Sequence, residues 1–180
     1  MKQEMPSVIL ATDSYKTSHF PLYPPEMEGL YSYIEARWGE TQGVVFYAAL
    51  NYALRKYLGN EITIGDIIDA ERFMGLHGEP FNKKGWDKIL NSCYGQLPLT
   101  VYAVPEGTLV PLSVPMMAVK SEMKGLESLA SYVETWLLRS TWYGSTVATY
   151  SFNCKRIIKK YLEETGDVSL LPFKLHDFGK

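Results

Sequence analysis

A mixed α/β fold follows from three observations. Apolar residues recur at helical spacing over stretches that begin near Phe46, Thr63, Asn82, Leu126 and Ser140. Between the third and fourth, from Leu97 to Ser121, the period changes to short strand-favouring runs cut by Pro98, Pro105, Pro111 and Pro115. The composition, 46% hydrophobic and 21% charged, gives enough apolar surface to close a core and is too apolar for disorder. At 180 residues the chain suits one domain, or one domain with an extension.

Taken in order, Val8 to Ala11 is an apolar run that reads as a short buried strand or its approach. Thr12, Asp13 and Ser14 follow as helix-capping residues, and Tyr15, Lys16 and His19 then share one short helical turn. Pro21, Pro24 and Pro25 stop that turn. Gly29 to Glu35 predicts a strand, with Arg37 and Trp38 at its exit and a polar loop from Gly39 to Gly43. Phe46 to Leu58 predicts a helix ended by Gly59-Asn60. Thr63 caps a second helix with Ile67, Ile68, Ala70, Phe73 and Met74 inward, and Asn82 a third with Trp86, Ile89, Leu90 and Cys93 inward.

The runs Leu97 to Val104, Thr108 to Leu112 and Pro115 to Ser121 predict a small antiparallel or irregular sheet, with a turn at Gly107. An amphipathic helix follows over Leu126 to Leu137. Another starts near Ser140 to Ser145 and runs to Glu164, with Ile157, Ile158, Tyr161 and Leu162 inward and Gly166 as its C-cap. Lys155, Arg156, Lys159 and Lys160, balanced by Glu163 and Glu164, read as a solvated helix face. Leu170 to Leu175 predicts a last strand before His176-Asp177-Phe178-Gly179-Lys180. A strand followed so soon by the final residue lacks the partner that should come next, which is the behaviour of an interrupted chain.

Charge and motif content exclude several classes. A net charge of -2 gives no field to draw nucleic acid or an anionic membrane. No run approaches the ~20 apolar residues of a membrane span, and the N-terminus lacks the apolar core of a signal peptide. A cytoplasmic protein is expected, with Cys93 and Cys154 as buried or idle thiols. Asp177-Phe178-Gly179 resembles a kinase magnesium motif in three letters only, because no glycine-rich phosphate loop or catalytic loop precedes it. His19, His77 and His176 are too scattered for a metal site. Thirteen tyrosines and four tryptophans point to a partner surface or to a packed aromatic core.

Six blocks in order carry a resemblance. Ala11-Thr12-Asp13-Ser14-Tyr15-Lys16, with His19 and Tyr23-Pro24-Pro25, comes first, followed by Tyr31-Ser32-Tyr33-Ile34-Glu35-Ala36-Arg37. Then come Val45-Phe46-Tyr47, Phe81-Asn82-Lys83-Lys84-Gly85-Trp86, Leu97-Pro98-Leu99 with Ala103-Val104-Pro105-Glu106-Gly107, and Lys174-Leu175-His176-Asp177-Phe178-Gly179. Together these resemble the N-terminal portion of the nicotinamide phosphoribosyltransferase family. The implied fold is the N-terminal domain of a type II phosphoribosyltransferase, a mixed sheet with several amphipathic helices, without the family's C-terminal barrel. The implied domain is 1–180, truncated after residue 179.

In that family the base ring lies between two aromatic side chains, one of them from the partner subunit of a homodimer. The resemblance places Phe178 and Tyr15 in those roles. A flat pyridine offers two π faces, and each stack supplies about 0.5–1.5 kcal/mol. Asp13 either holds the carboxamide end or caps its turn. Arg37 either reaches the phosphate region across the interface, where guanidinium binds bidentately, or pairs with Glu35 or Glu40. The implied reaction joins nicotinamide to phosphoribosyl pyrophosphate, giving nicotinamide mononucleotide and pyrophosphate in NAD salvage. Mg2+ and ATP are implied too, with ligands mostly outside this chain. The family's phosphate-binding arginines, base-orienting aspartate and phosphorylated histidine lie beyond the point matching Gly179, and Lys180 departs from the family pattern. No catalytic residue is therefore assigned here, and inactivity of the chain alone is expected. Nicotinamide and nicotinate are not distinguished by these residues. The alternative is a non-enzymatic dimerisation or regulatory module that pairs with a full-length subunit.

Overall fold

A computed structural model of the chain describes residues 7–39 and 41–176. Three antiparallel strands form the larger sheet: β1 (Leu30–Glu35), the central β5 (Pro115–Ser121) and β3 (Thr100–Ala103), in the order β1-β5-β3. Its register sets Tyr33 opposite Ala118, and Tyr102 opposite the same residue from the other side. A second ladder pairs β2 (Gly43–Val45) with β4 (Leu109–Pro111). The helices are α1 (Leu50–Tyr57), α2 (Ile64–His77), α3 (Lys83–Ser92), α4 (Leu129–Tyr132) and α5 (Glu134–Thr165). The predicted mixed α/β class is what the chain forms, and every strand pairing among the described residues is antiparallel.

Two apolar cores meet at α4. One lies under the sheets and holds Phe46, Val110, Met117, Val119, Trp136 and Leu137, with Ala130 and Val133 on the α4 side. The other gathers Ile9, Ile67, Trp86 and Ile89 against Leu129 and Tyr132. One helical turn thus presents alternate residues to two cores, which fixes the start of α5 from both sides. Trp86 meets Tyr132 edge-on at 5.3 Å, and Tyr57 stacks on Trp136 at 4.7 Å.

Local chemistry explains the helix starts. The Thr63 hydroxyl accepts from the Asp66 N–H while the Asp66 carboxylate accepts from the Thr63 N–H, a full capping box. Gly78 ends α2 at φ 82°, a left-handed conformation that costs glycine little. Asn82 caps α3 by accepting from the Gly85 N–H at 3.1 Å.

Several expectations are corrected. Val8 to Ala11 is not a strand: Leu10 and Ala11 donate back to the carbonyls of Ser7 and Val8, closing a 3-10 turn over Val8–Leu10. The helix expected from Phe46 begins only at Leu50, because Phe46 still bonds to the β4 side through Thr108 and Gly107. Ala49 then turns at φ 48°, where the Glu106 carboxylate accepts from the N–H groups of Ala48 and Leu50. β2 begins at Gly43, the last residue read as loop. Its three residues are too few to show a period.

Ile68 and Phe73 point outward from α2, since only Ile67, Ala70 and Met74 face the core. The helix expected over 126–137 breaks at Val133, and α5 starts at Glu134 rather than near Ser140. Ile157 and Tyr161, expected inward, are exposed. Leu170 to Leu175 is not a strand: the Asp167 carboxylate accepts from the Ser169 N–H and starts a 3-10 helix, Val168–Phe173, that packs back on α5. Gly166 does cap α5 but in an extended conformation. Of the two thiols read as buried or idle, Cys154 is exposed and Cys93 half-buried.

Candidate base-binding turn and its relatives

The turn that carries Tyr15 is Ser14–Ser18, a single 3-10 helix. Thr17 and Ser18 donate their hydroxyls back to the carbonyls of Ser14 and Tyr15, tightening a piece too short to hold itself. Its rigidity comes from elsewhere. Thr12 donates to the Tyr132 carbonyl at 2.8 Å, and the Tyr132 hydroxyl donates to the Ile9 carbonyl. The Asp13 carboxylate accepts from the Thr135 hydroxyl at 2.7 Å, and the Asp13 N–H donates to the same oxygen at 3.2 Å. Asp13 makes no side-chain cap to its own turn, so the capping role expected for it is replaced by a tie to α5.

Lys16 makes the deepest tie. It is only 4% exposed, and its ammonium donates to the Ser131 carbonyl at 3.0 Å and pairs with the Glu134 carboxylate. Burying an ammonium is costly unless it is both paired and hydrogen-bonded, and here it is both. Beneath it a space of about 20 Å³ between Lys16, Phe20, Trp86 and Tyr132 leaves no room for a ring. Burial pushes the Tyr132 phenol above the usual tyrosine range, so it stays a donor.

With Asp13, Lys16 and Thr17 drawn inward, Tyr15 points the other way. Its ring is 55% exposed and lies 5.2 Å from the His19 ring at a 56° tilt. The arrangement offers one aromatic face, fixed from below, to a flat ligand or a neighbouring chain. Glu134, whose carboxylate holds Lys16, also lines a cleft of about 320 Å³ between Tyr31, Tyr33 and Leu137, at the small end of ligand-sized sites.

The other sequence-derived residues lie apart from this turn. Arg37 is exposed beyond the end of β1, and among the described residues no hydrogen bond or ion pair joins it to Asp13, Tyr15 or Glu35. Phe178 lies outside the described residues, as does Glu40. Thr135, Glu134 and Ser131 were missed from sequence. They sit 115 to 122 residues away from their partners and carry no local signature. Only the apolar phase of α4, which faces Tyr132 toward Ile9, could have hinted at the seam.

The model of the nicotinamide phosphoribosyltransferase N-terminal domain matches residues 7–101, more than half of the chain. The chain belongs to the nicotinamide phosphoribosyltransferase family. A nicotinamide phosphoribosyltransferase of Xanthomonas campestris pv. campestris is 42% identical over 175 residues, 96% of this chain and 37% of the relative. One from Acinetobacter baylyi is 36% identical over 85 residues, 47% of this chain and 17% of that protein. One from Mycoplasma pneumoniae is 26% identical over 197 residues, 94% of this chain and 43% of the relative. The crystal structure of human nicotinic acid phosphoribosyltransferase superposes with a TM-score of 0.53 at 21% identity, over 79% of this chain and 27% of that one. This last likeness concerns the fold. The chain therefore spans less than half the length of each of these family relatives.

Proposed function

We propose that this chain is the base-binding, N-terminal part of a nicotinamide phosphoribosyltransferase. The whole enzyme joins nicotinamide to phosphoribosyl pyrophosphate, releasing nicotinamide mononucleotide and pyrophosphate, and serves NAD salvage. The observation that carries this reading is Tyr15, an outward aromatic face on a turn tied to α4 and α5 at Thr12, Asp13 and Lys16. In this reading Tyr15 stacks on one side of the nicotinamide ring and Phe178 of another subunit on the other. Asp13 keeps one carboxylate oxygen on Thr135, and its other oxygen is left to accept from the carboxamide. Arg37, exposed and without an ion-pair partner among the described residues, grips phosphate.

The reacting ribose carbon develops positive charge, so the rate depends on holding both reactants in line and on donors that meet the leaving pyrophosphate. One arginine cannot hold a polyanion of that size, and we assign no catalytic residue to the chain. Mg2+ and ATP would serve the complete enzyme. The described residues hold no group of three or more His, Cys, Asp or Glu able to bind a metal, and no step is assigned to either cofactor here. The reading includes a homodimer, or pairing with a full-length subunit, and a cytoplasmic location. No helix among the described residues is long and apolar enough to cross a membrane.

The test uses the 180-residue chain and a chimera in which it replaces the matched stretch of the Xanthomonas relative. The chain alone yields no mononucleotide above background. The chimera yields it, and Tyr15→Ala raises its KM for nicotinamide about 2- to 10-fold, the value of one lost stack. Turnover by the chain alone, or a Tyr15→Ala chimera with an unchanged KM, overturns the reading.

A further inference from the structure

Three side chains stand in line at the start of α5. Glu134 is its first residue, where a carboxylate is favoured by the free N–H groups of the opening turn. Its Oε2 takes the Lys16 ammonium, and that ammonium lies over the Tyr15 ring, 5.9 Å from its centroid. This distance is within reach of a cation–π contact. Carboxylate, ammonium and ring are one chain of contacts, ending at the aromatic face that meets the base in the reading above.

The Lys16 link is unlike the other ties of that turn. Thr12 and the Tyr132 hydroxyl donate to backbone carbonyls, and Asp13 meets a hydroxyl. Lys16 is the only buried basic side chain among the described residues. Its partners are the Ser131 carbonyl and Glu134, and of these Glu134 supplies the opposite charge. An ammonium left with a carbonyl alone is poorly compensated, and its flexible four-carbon stem lets it leave for water. On a 3-10 turn neighbouring residues project about 120° apart. Lys16 pointing in and Tyr15 pointing out are thus one setting of a single rotation. A Lys16 that turns outward carries the Tyr15 ring off its aim.

We propose that Glu134 is a positioning residue for the base site: by neutralising Lys16 in place, it holds the Tyr15 ring at the angle at which a flat heterocycle stacks. The inference rests on the base-binding reading above and adds to it a residue that touches no substrate. It makes a demand that general stabilisation does not. Glu134 matters here because of the charge on Lys16, so removing that charge makes Glu134 dispensable. Methionine, unbranched and close in length to the lysine stem, fills the same slot with no charge to solvate.

The test is run in the Xanthomonas chimera described above, with Tyr15→Ala as the reference. The Glu134 side chain is 44% exposed, so its truncation opens no core cavity. Glu134→Ala raises KM for nicotinamide about 2- to 10-fold, the loss of one stack, with kcat at saturating nicotinamide unchanged. Adding Lys16→Met brings KM back to within about twofold of the unsubstituted chimera. An unchanged KM in Glu134→Ala, with Tyr15→Ala still raising it, overturns the inference and leaves the base-binding reading standing. A KM that stays raised after Lys16→Met is added overturns it as well, because Glu134 then acts otherwise than through the buried charge. A fall in kcat with KM unchanged does the same, being the mark of lost folded enzyme. Tyr15→Ala without effect removes the base-binding reading and this inference with it. Where the Glu134→Ala chimera does not fold, amide exchange in the 180-residue chain decides. Exchange over 14–18 that is about 10-fold faster in Glu134→Ala, and slowed again by Lys16→Met, supports the inference. Exchange that is unchanged, or is not slowed again, overturns it.

Discussion

α5 is one continuous helix with two unlike halves. The first is written by its neighbours: Thr135 holds Asp13, Glu134 holds Lys16, Trp136 stacks on Tyr57, and Ser145 and Thr149 bond the backbone beyond and within β2. The second shows Lys155, Arg156, Lys159 and Lys160 to solvent, and its local support is slight: a long Lys159–Glu163 pair at 3.6 Å, Arg156 over the Phe152 ring, and the short 3-10 helix that folds back on it. Helical periodicity alone describes both halves equally well. What differs is whether anything answers the apolar phase, and no single-element pattern can report that.

The largest expected contrast is between equivalent truncations in the two halves. Trp136→Ala removes a stacked core ring and should cost about 3–5 kcal/mol, read as the shift of the urea midpoint. Ile157→Ala in the same chain should stay within about 0.5 kcal/mol. Comparable losses at both positions would erase the distinction. A smaller effect sharpens it at the Tyr15 turn. Thr135→Val strands the Asp13 carboxylate and N–H together and should cost about 1–3 kcal/mol. It should also speed amide exchange over 14–18 while leaving 150–165 as it was. Exchange unchanged at the turn would show that the tie to α5 does not hold it.

The smallest effect depends on pH. Burial raises the folded-state pKa of the Tyr132 phenol above its unfolded value, so folding favours the protonated form. That contribution is complete below the unfolded pKa of about 10 and is lost as pH rises past it. Tyr132→Phe should cost about 1 kcal/mol at neutral pH through the lost bond to Ile9. It should also flatten the decline in stability above about pH 10 relative to the unchanged chain. An identical alkaline decline in both proteins would place that titration elsewhere.

How much was legible in the sequence follows the same division. The caps at Thr63 and Asn82, the strand at Leu30–Glu35 and the proline-cut strands could be read because each is decided within about ten residues. The start of α1 could not, because Glu106 decides it from more than fifty residues away. The sequence places Lys16 on the short turn with Tyr15 and His19 but says nothing of its burial, which depends on Glu134 and Ser131, brought together with it only in the folded chain. Tyr15 could be located from its motif. Its outward direction could not, since that is the residue left over after Asp13, Lys16 and Thr17 have turned in.

Gly144 sets the distance of closest approach between α5 and the strand layer: a methyl group there would sit 2.6 Å from the Tyr47 carbonyl oxygen. One residue later Ser145 exchanges bonds with the N–H and carbonyl of Tyr47, and one turn on Thr149 accepts from the Val45 N–H at 2.9 Å. Two clamps a helical pitch apart oppose any slide or screw of the rod along its axis, so a displacement of α5 would strain the backbone at Val45 and Tyr47 first.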